Sequence, residues 1–89
     1  MNDLLVRIGD PVAALARLVP RLTQVAERHG FVHEAAGRDW AHWVSRRDEK
    51  VVIRAYAFAS DGGGISVTMS GATMSADVER DVMEAIGDL

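Results

Sequence analysis

Val51-Val52-Ile53-Arg54-Ala55-Tyr56-Ala57-Phe58 is the stretch that decides the fold. Its β-branched and aromatic residues suit a pleated, half-buried surface, and neither glycine nor proline interrupts it. It predicts a strand within Lys50–Ser60. Working outward, similar runs stand at Phe31–Ala35, Trp40–Arg46 and Gly64–Ser70. The segments between them, Ala36-Gly37-Arg38-Asp39, Arg47-Asp48-Glu49 and Asp61-Gly62-Gly63, carry turn chemistry. Strands spaced this closely favour a simple antiparallel meander.

Helical patterns flank the strands. Asp10-Pro11 is a helix start, with Asp10 as N-cap and Pro11 in the first turn. Val12, Leu15, Val19, Leu22 and Ala26 follow on one apolar face. Pro20 has no N–H to give Ala16, which predicts a kink or break, and Gly30 supplies the stop. At the other end Ser75 is an N-cap, and Asp77 and Glu79 suit the positive end of a helix dipole. Val78, Val82, Ile86 and Leu89 form the apolar stripe that follows. Leu4 to Ile8 is too short to assign as strand or helix from periodicity. The reading is one α+β domain over residues 1–89, in the order α-β-β-β-β-α. Its meander sheet is covered on one face by two helices, and an extra N-terminal strand is an open alternative.

The chain has 89 residues, 48% hydrophobic and 26% charged, with no cysteine. That is room for one core, which buries about 60–65% of the unfolded surface. Disulfides and thiolate metal sites are excluded. No apolar run approaches the roughly 18 residues of a membrane span, and no signal-peptide pattern opens the chain. Cytoplasmic placement without membrane contact is expected. The richness in Ala, Arg, Val, Gly and Asp suggests a bacterial or phage source. Net charge is −3 but uneven. Residues 1–60 hold nine basic side chains against seven acids, whereas residues 61–89 hold one arginine against six acids. The last helix is the acidic part.

Register determines what the sheet displays. A loop centred on residues 37–38 sets His33 opposite His42, and a turn at 46–49 sets Val44 opposite Val51. One face then carries Phe31, His33, Trp40, His42, Val44, Val51, Ile53, Ala55, Ala57 and Ala59. The other carries Glu34, Trp43, Val52, Arg54, Tyr56 and Phe58. The glycine turn leaves the last pairing open: the preferred register adds Ile65, Val67 and Met69 to the alanine face, and a register shifted by one adds them to the aromatic face instead. Two helices shelter only that face, so the aromatic face stays open. Contiguous apolar surface of this kind marks interfaces, and aromatic and arginine side chains are the usual anchors.

Catalytic chemistry has little support. There is no Gly-x-Ser-x-Gly nucleophile elbow, and Asp61-Gly62-Gly63-Gly64 lacks the lysine and helix of a phosphate loop. His33 and His42 as cross-strand neighbours make an incomplete metal site, since catalytic zinc takes three protein ligands. The outline of a helix, a strand meander and a second helix resembles the double-stranded RNA-binding domain. That family's second helix opens with basic residues that grip phosphates. Here the matching stretch is Ser75-Ala76-Asp77-Val78-Glu79, which repels them, so nucleic acid is not the expected partner.

The expectation is therefore a non-enzymatic protein-binding module of adaptor, chaperone or inhibitor type, for instance a phage or mobile-element inhibitor of a host system. It needs no cofactor and forms a homodimer. Its contact residues are Trp43, Arg54, Tyr56 and Phe58 on the sheet, with Asp77, Asp81 and Glu84 on the acidic helix. The alternative is a small metal- or ligand-binding domain centred on His33 and His42.

Overall fold

The computed structural model describes residues 3–89, apart from the side chain of Asp61. The chain runs β1 (Asp3–Arg7), α1 (Pro11–Arg28), β2 (Phe31–Ala36), β3 (Trp40–Ser45), β4 (Val52–Phe58), β5 (Gly64–Ser70) and α2 (Ala76–Gly87). A short 3-10 turn at Ser60–Gly62 joins β4 to β5. All strand pairs are antiparallel, and the order across the sheet is β1-β5-β4-β3-β2. The expected α+β meander is present, and the segment left open at the N-terminus is its edge strand. Among the described residues no helix is long and apolar enough to cross a membrane.

Helix α1 packs on the sheet, and α2 packs chiefly on α1. One continuous core joins them. Ala14, Leu15, Leu18, Leu22, Val25 and Ala26 come from α1, and Val78, Val82, Ala85 and Ile86 from α2. The sheet contributes Leu4, Phe31, Ala41, Trp43, Ile53, Ala55, Ile65, Val67 and Met69. Ala36, Ala41 and Ala55 form one cross-strand row. Residues that end at Cβ leave room for a helix backbone to come close.

The helix ends were partly legible. Ser75 caps α2 as expected, its Oγ accepting from Val78 N at 3.2 Å. Gly30, at φ +84°, ends α1. Asp10 departs from expectation. It adopts the left-handed conformation at φ 51°, its side chain makes no cap bond, and only its carbonyl accepts from Ala14 N. Aspartate tolerates that conformation better than most residues. The expected break at Pro20 is also absent, since α1 is continuous through it. Ala16 and Pro20 both lie on the solvent side, where water can take the carbonyl that proline leaves without a donor.

The largest correction concerns β3. The last hairpin has the preferred register, with Ala55 opposite Val67 and Ala57 opposite Ile65. The β3–β4 hairpin is one residue out of the expected phase. Ser45 N donates to Val51 O at 3.0 Å, so the loop is Arg46–Lys50. Asp48 fixes that length: its Oδ1 accepts from Lys50 N at 3.0 Å and its carbonyl from Val51 N at 2.9 Å. Such an Asx turn competes well with a tighter hairpin. Val44 therefore faces Val52, Trp43 faces Ile53 and His42 faces Arg54. A one-residue slip turns every side chain of a strand over. Trp40, His42 and Val44 go to the open face, and Trp43 goes inside.

Candidate binding face

The open face reads as rows across the strands. Leu5, Ser66, Tyr56 and Trp40 make the central row. Beside it run Asp3, Thr68, Arg54, His42 and Ala35, then Ser70, Val52, Val44 and Val32. On the other flank Phe58 lies opposite Gly64, where an added Cβ would sit 2.8 Å from the ring. The glycine leaves room for the ring against the neighbouring strand.

The three central rings touch in sequence. Trp40 and His42 have centroids 4.7 Å apart, tilted by 46°, and His42 meets Tyr56 edge-on at 6.2 Å. Offset and edge-on geometries of this kind are the favourable ones for aromatic groups. Tyr56 is 37% exposed and Leu5 62%, while Trp40, His42, Arg54 and Phe58 are half-buried by their neighbours. Arg54 Nε is buried without a hydrogen-bond partner among the described residues. A buried donor without a partner costs free energy.

Of the residues expected to form this face, Arg54, Tyr56 and Phe58 are on it and Trp43 is not. Trp43 is fully buried (0% exposed), with its indole N–H donating to Thr23 Oγ1 of α1 at 3.0 Å. Thr23 in turn donates to Val19 O at 2.8 Å, so the polar atoms of this core tryptophan are satisfied. Trp40 and His42 take its place on the surface. His33 shares Trp43's side of the sheet, with ring centroids 5.5 Å apart, and a β-bulge at Glu34 follows it. The pairing of His33 with His42 is therefore overturned: they lie on opposite faces. Among the described residues no cluster of three or more His, Asp or Glu side chains is placed to hold a metal.

The acidic helix belongs to the opposite layer. Asp77 is exposed and pairs with Arg80 at 3.5 Å. Asp81 is turned inward, only 16% exposed, and accepts from His29 Nε2 at 2.7 Å. That hydrogen bond holds its carboxyl below the ordinary aspartate value. Burial opposes the shift, and Arg28 and Arg80 add to it. Glu84 lines an open cleft of about 360 Å³ between the helices, with Arg21, Gln24 and Arg28. The structure thus separates the acids from the aromatic face and places Asp81 in the α1–α2 contact.

Fold and face together define a class: a small α+β domain with a one-sided helical layer and an uncovered aromatic sheet. The chain matches no family model, and no curated protein is similar to it at a significant level.

Proposed function

We propose that this chain is a binding module for another protein, and that its contact surface is the open sheet face around Trp40, His42, Arg54 and Tyr56. One observation supports this most. An uncovered row of aromatic side chains lies beside Arg54, whose Nε has no hydrogen-bond partner among the described residues. Aromatic and arginine residues dominate the energetics of protein interfaces, and a guanidinium finds its best match in a carboxylate. The partner's anchor is then an acidic side chain flanked by apolar ones. Phe58, Val44 and Val52 supply the apolar surround. Asp77 and Glu84 offer a second, acidic surface on the helical layer. An adaptor, chaperone or inhibitor of bacterial or phage origin fits such a module.

The test is capture from the native host with the wild-type chain, Tyr56→Ala and Arg54→Ala, each checked by thermal melting. Loss of a central anchor weakens binding by about 2 kcal/mol, about thirtyfold. The expected result is a partner held by the wild type, lost from both variants, with melting temperatures little changed. Equal capture by all three refutes the assignment of the face.

A further inference from the structure

Long and short side chains alternate by strand on the open face. Strand β4 presents Val52, Arg54 and Tyr56, and the residues opposite them on β5 are Ser70, Thr68 and Ser66. A ridge of long side chains therefore runs beside a trough of short ones. The trough is open along those three residues, whereas at Gly64 the ring of Phe58 already fills it. Beyond the trough, β1 raises Asp3 and Leu5, paired with Thr68 and Ser66. Beyond the ridge, β3 raises His42 and Trp40, opposite Arg54 and Tyr56. Among the described residues neither Asp3 nor Arg54 belongs to an ion pair, and Arg54 Nε has no hydrogen-bond partner.

We infer that this face joins two copies of the chain, sheet against sheet, about a two-fold axis that runs along the strands between β4 and β5. The inference rests on the reading of this face as the contact surface and names its occupant. In that arrangement the ridge of each copy enters the trough of the other. Tyr56 lies over the second copy's Ser66, Arg54 over its Thr68 and Val52 over its Ser70. An axis on β4 sets ridge on ridge, as does one running across the strands, and an axis on β5 leaves trough over trough. The outer strands agree with the same placement. Trp40 comes over the second copy's Leu5, and His42 over its Asp3. Along the polar row the order across the axis is then Asp3, the second copy's Arg54, Arg54, and the second copy's Asp3. Each carboxylate stands beside a guanidinium of the other copy, the pairing that makes strong charge-assisted hydrogen bonds. Asp3 next to the exposed Leu5 is also the acid with an apolar neighbour that the face calls for. Two twisted sheets stack in this way about 10 Å apart, with their strands within about 30° of each other. The contact is isologous, so it closes at two copies.

Sedimentation velocity over a concentration series tests it, with melting curves as the check on folding. The expected result is a monomer–dimer equilibrium in which acrylamide quenching of Trp40 falls as the dimer forms. Tyr56→Ala removes the centre of the ridge and weakens association by about thirtyfold. Ser66→Lys fills the trough and also weakens it. Asp3→Arg makes all four members of the polar row cationic, and Arg54→Asp makes all four anionic, so each variant alone is monomeric. Mixed in equal amounts they form a heterodimer whose row alternates in sign, a result that misfolded variants would not give. A wild type that is monomeric at every concentration overturns the inference, as does a dimer indifferent to Asp3→Arg or a mixture of the two variants that stays monomeric. Its failure is distinguishable from failure of the binding reading. A monomer that still captures another protein through Tyr56 keeps the face and loses the second copy, whereas a chain in which Tyr56→Ala alters neither association nor capture loses both.

Discussion

Trp43 and Trp40 stand three residues apart, and the phase of β3 decides which one is core. Replacing each by phenylalanine tests that phase directly. In Trp43→Phe the donor to Thr23 Oγ1 disappears, at a cost of about 1 kcal/mol. Thr23 keeps its bond to Val19 O, so no new buried donor is orphaned. The lost part of the indole is worth a buried CH₂ or slightly more, about 1 kcal/mol, before any cavity cost. The sum is about 2 kcal/mol. An 89-residue domain has about 4–13 kcal/mol in all, and each kcal/mol moves the melting temperature of a domain this size by about 4–8 °C. Trp43→Phe should therefore melt about 10–15 °C lower, while Trp40→Phe stays within about 0.5 kcal/mol of wild type. Denaturant melts measure both, and acrylamide quenching of the single remaining tryptophan supplies an independent readout. It should be weak in Trp40→Phe and clear in Trp43→Phe. Equal destabilisation, or stronger quenching of Trp43 than of Trp40, would refute the register and the binding face built on it.

Other expectations follow from local geometry. A Cβ at Gly64 would lie 2.3 Å from Val6 O, so Gly64→Ala should loosen β1 and cost about 1–3 kcal/mol, read as faster amide exchange at Leu4 and Val6; unchanged exchange there would contradict the close β1–β5 approach. Asp81 has a depressed carboxyl value in the folded state, against an ordinary value of 3.8, so the unfolded chain binds its proton first as pH falls. Its stabilising contribution is complete above the ordinary value and disappears as pH drops through the folded one. Asp81→Asn or His29→Ala should flatten the acid limb of a melting-temperature-against-pH curve, and an unaltered limb would show that the contact is not formed in solution. Zinc should leave the melting temperature of wild type and of a His33→Ala/His42→Ala double variant alike, since these side chains face opposite ways; a zinc-dependent rise lost in the double variant would reverse that placement.

Much of the architecture was legible because local signals agreed with one another. Ser75 before an acidic first turn and Gly30 after a regular apolar stripe each had one physically reasonable outcome, and of the two registers open to β4 and β5 the preferred one is present. The phase of β3 did not. Both phases bury one tryptophan and expose the other, and the difference came down to one residue of loop, fixed by the hydrogen bonds of Asp48. Two signals pointed to the correct phase. Ala41 aligns with Ala55 in the small-residue row beneath the helices, and Thr23, one turn from Val19 and Ala26, is the hydroxyl a buried indole requires. Thr23 reads as a solvent-facing hydroxyl only until the tryptophan it serves is known. Pro20 misled for a related reason: its effect depends on whether water reaches the carbonyl of Ala16, which burial decides and spacing does not.

The separation of the two candidate surfaces constrains how a partner engages this chain. The acids of α2 sit on the layer that covers the sheet, and Trp40, Arg54 and Tyr56 sit on the reverse side. The molecule measures 21 Å across its shortest dimension, well beyond the range at which neighbouring substitutions couple. A partner touching both surfaces has to wrap around an edge. The bulged β2 edge resists backbone pairing. Binding through the face and binding through Asp77 and Glu84 are then independent events. Tyr56→Ala and Glu84→Lys should each affect a different partner, or only one of them should matter. A single partner whose affinity falls in both variants, with a double variant departing from the sum of the two losses, would mean that the surfaces are bridged.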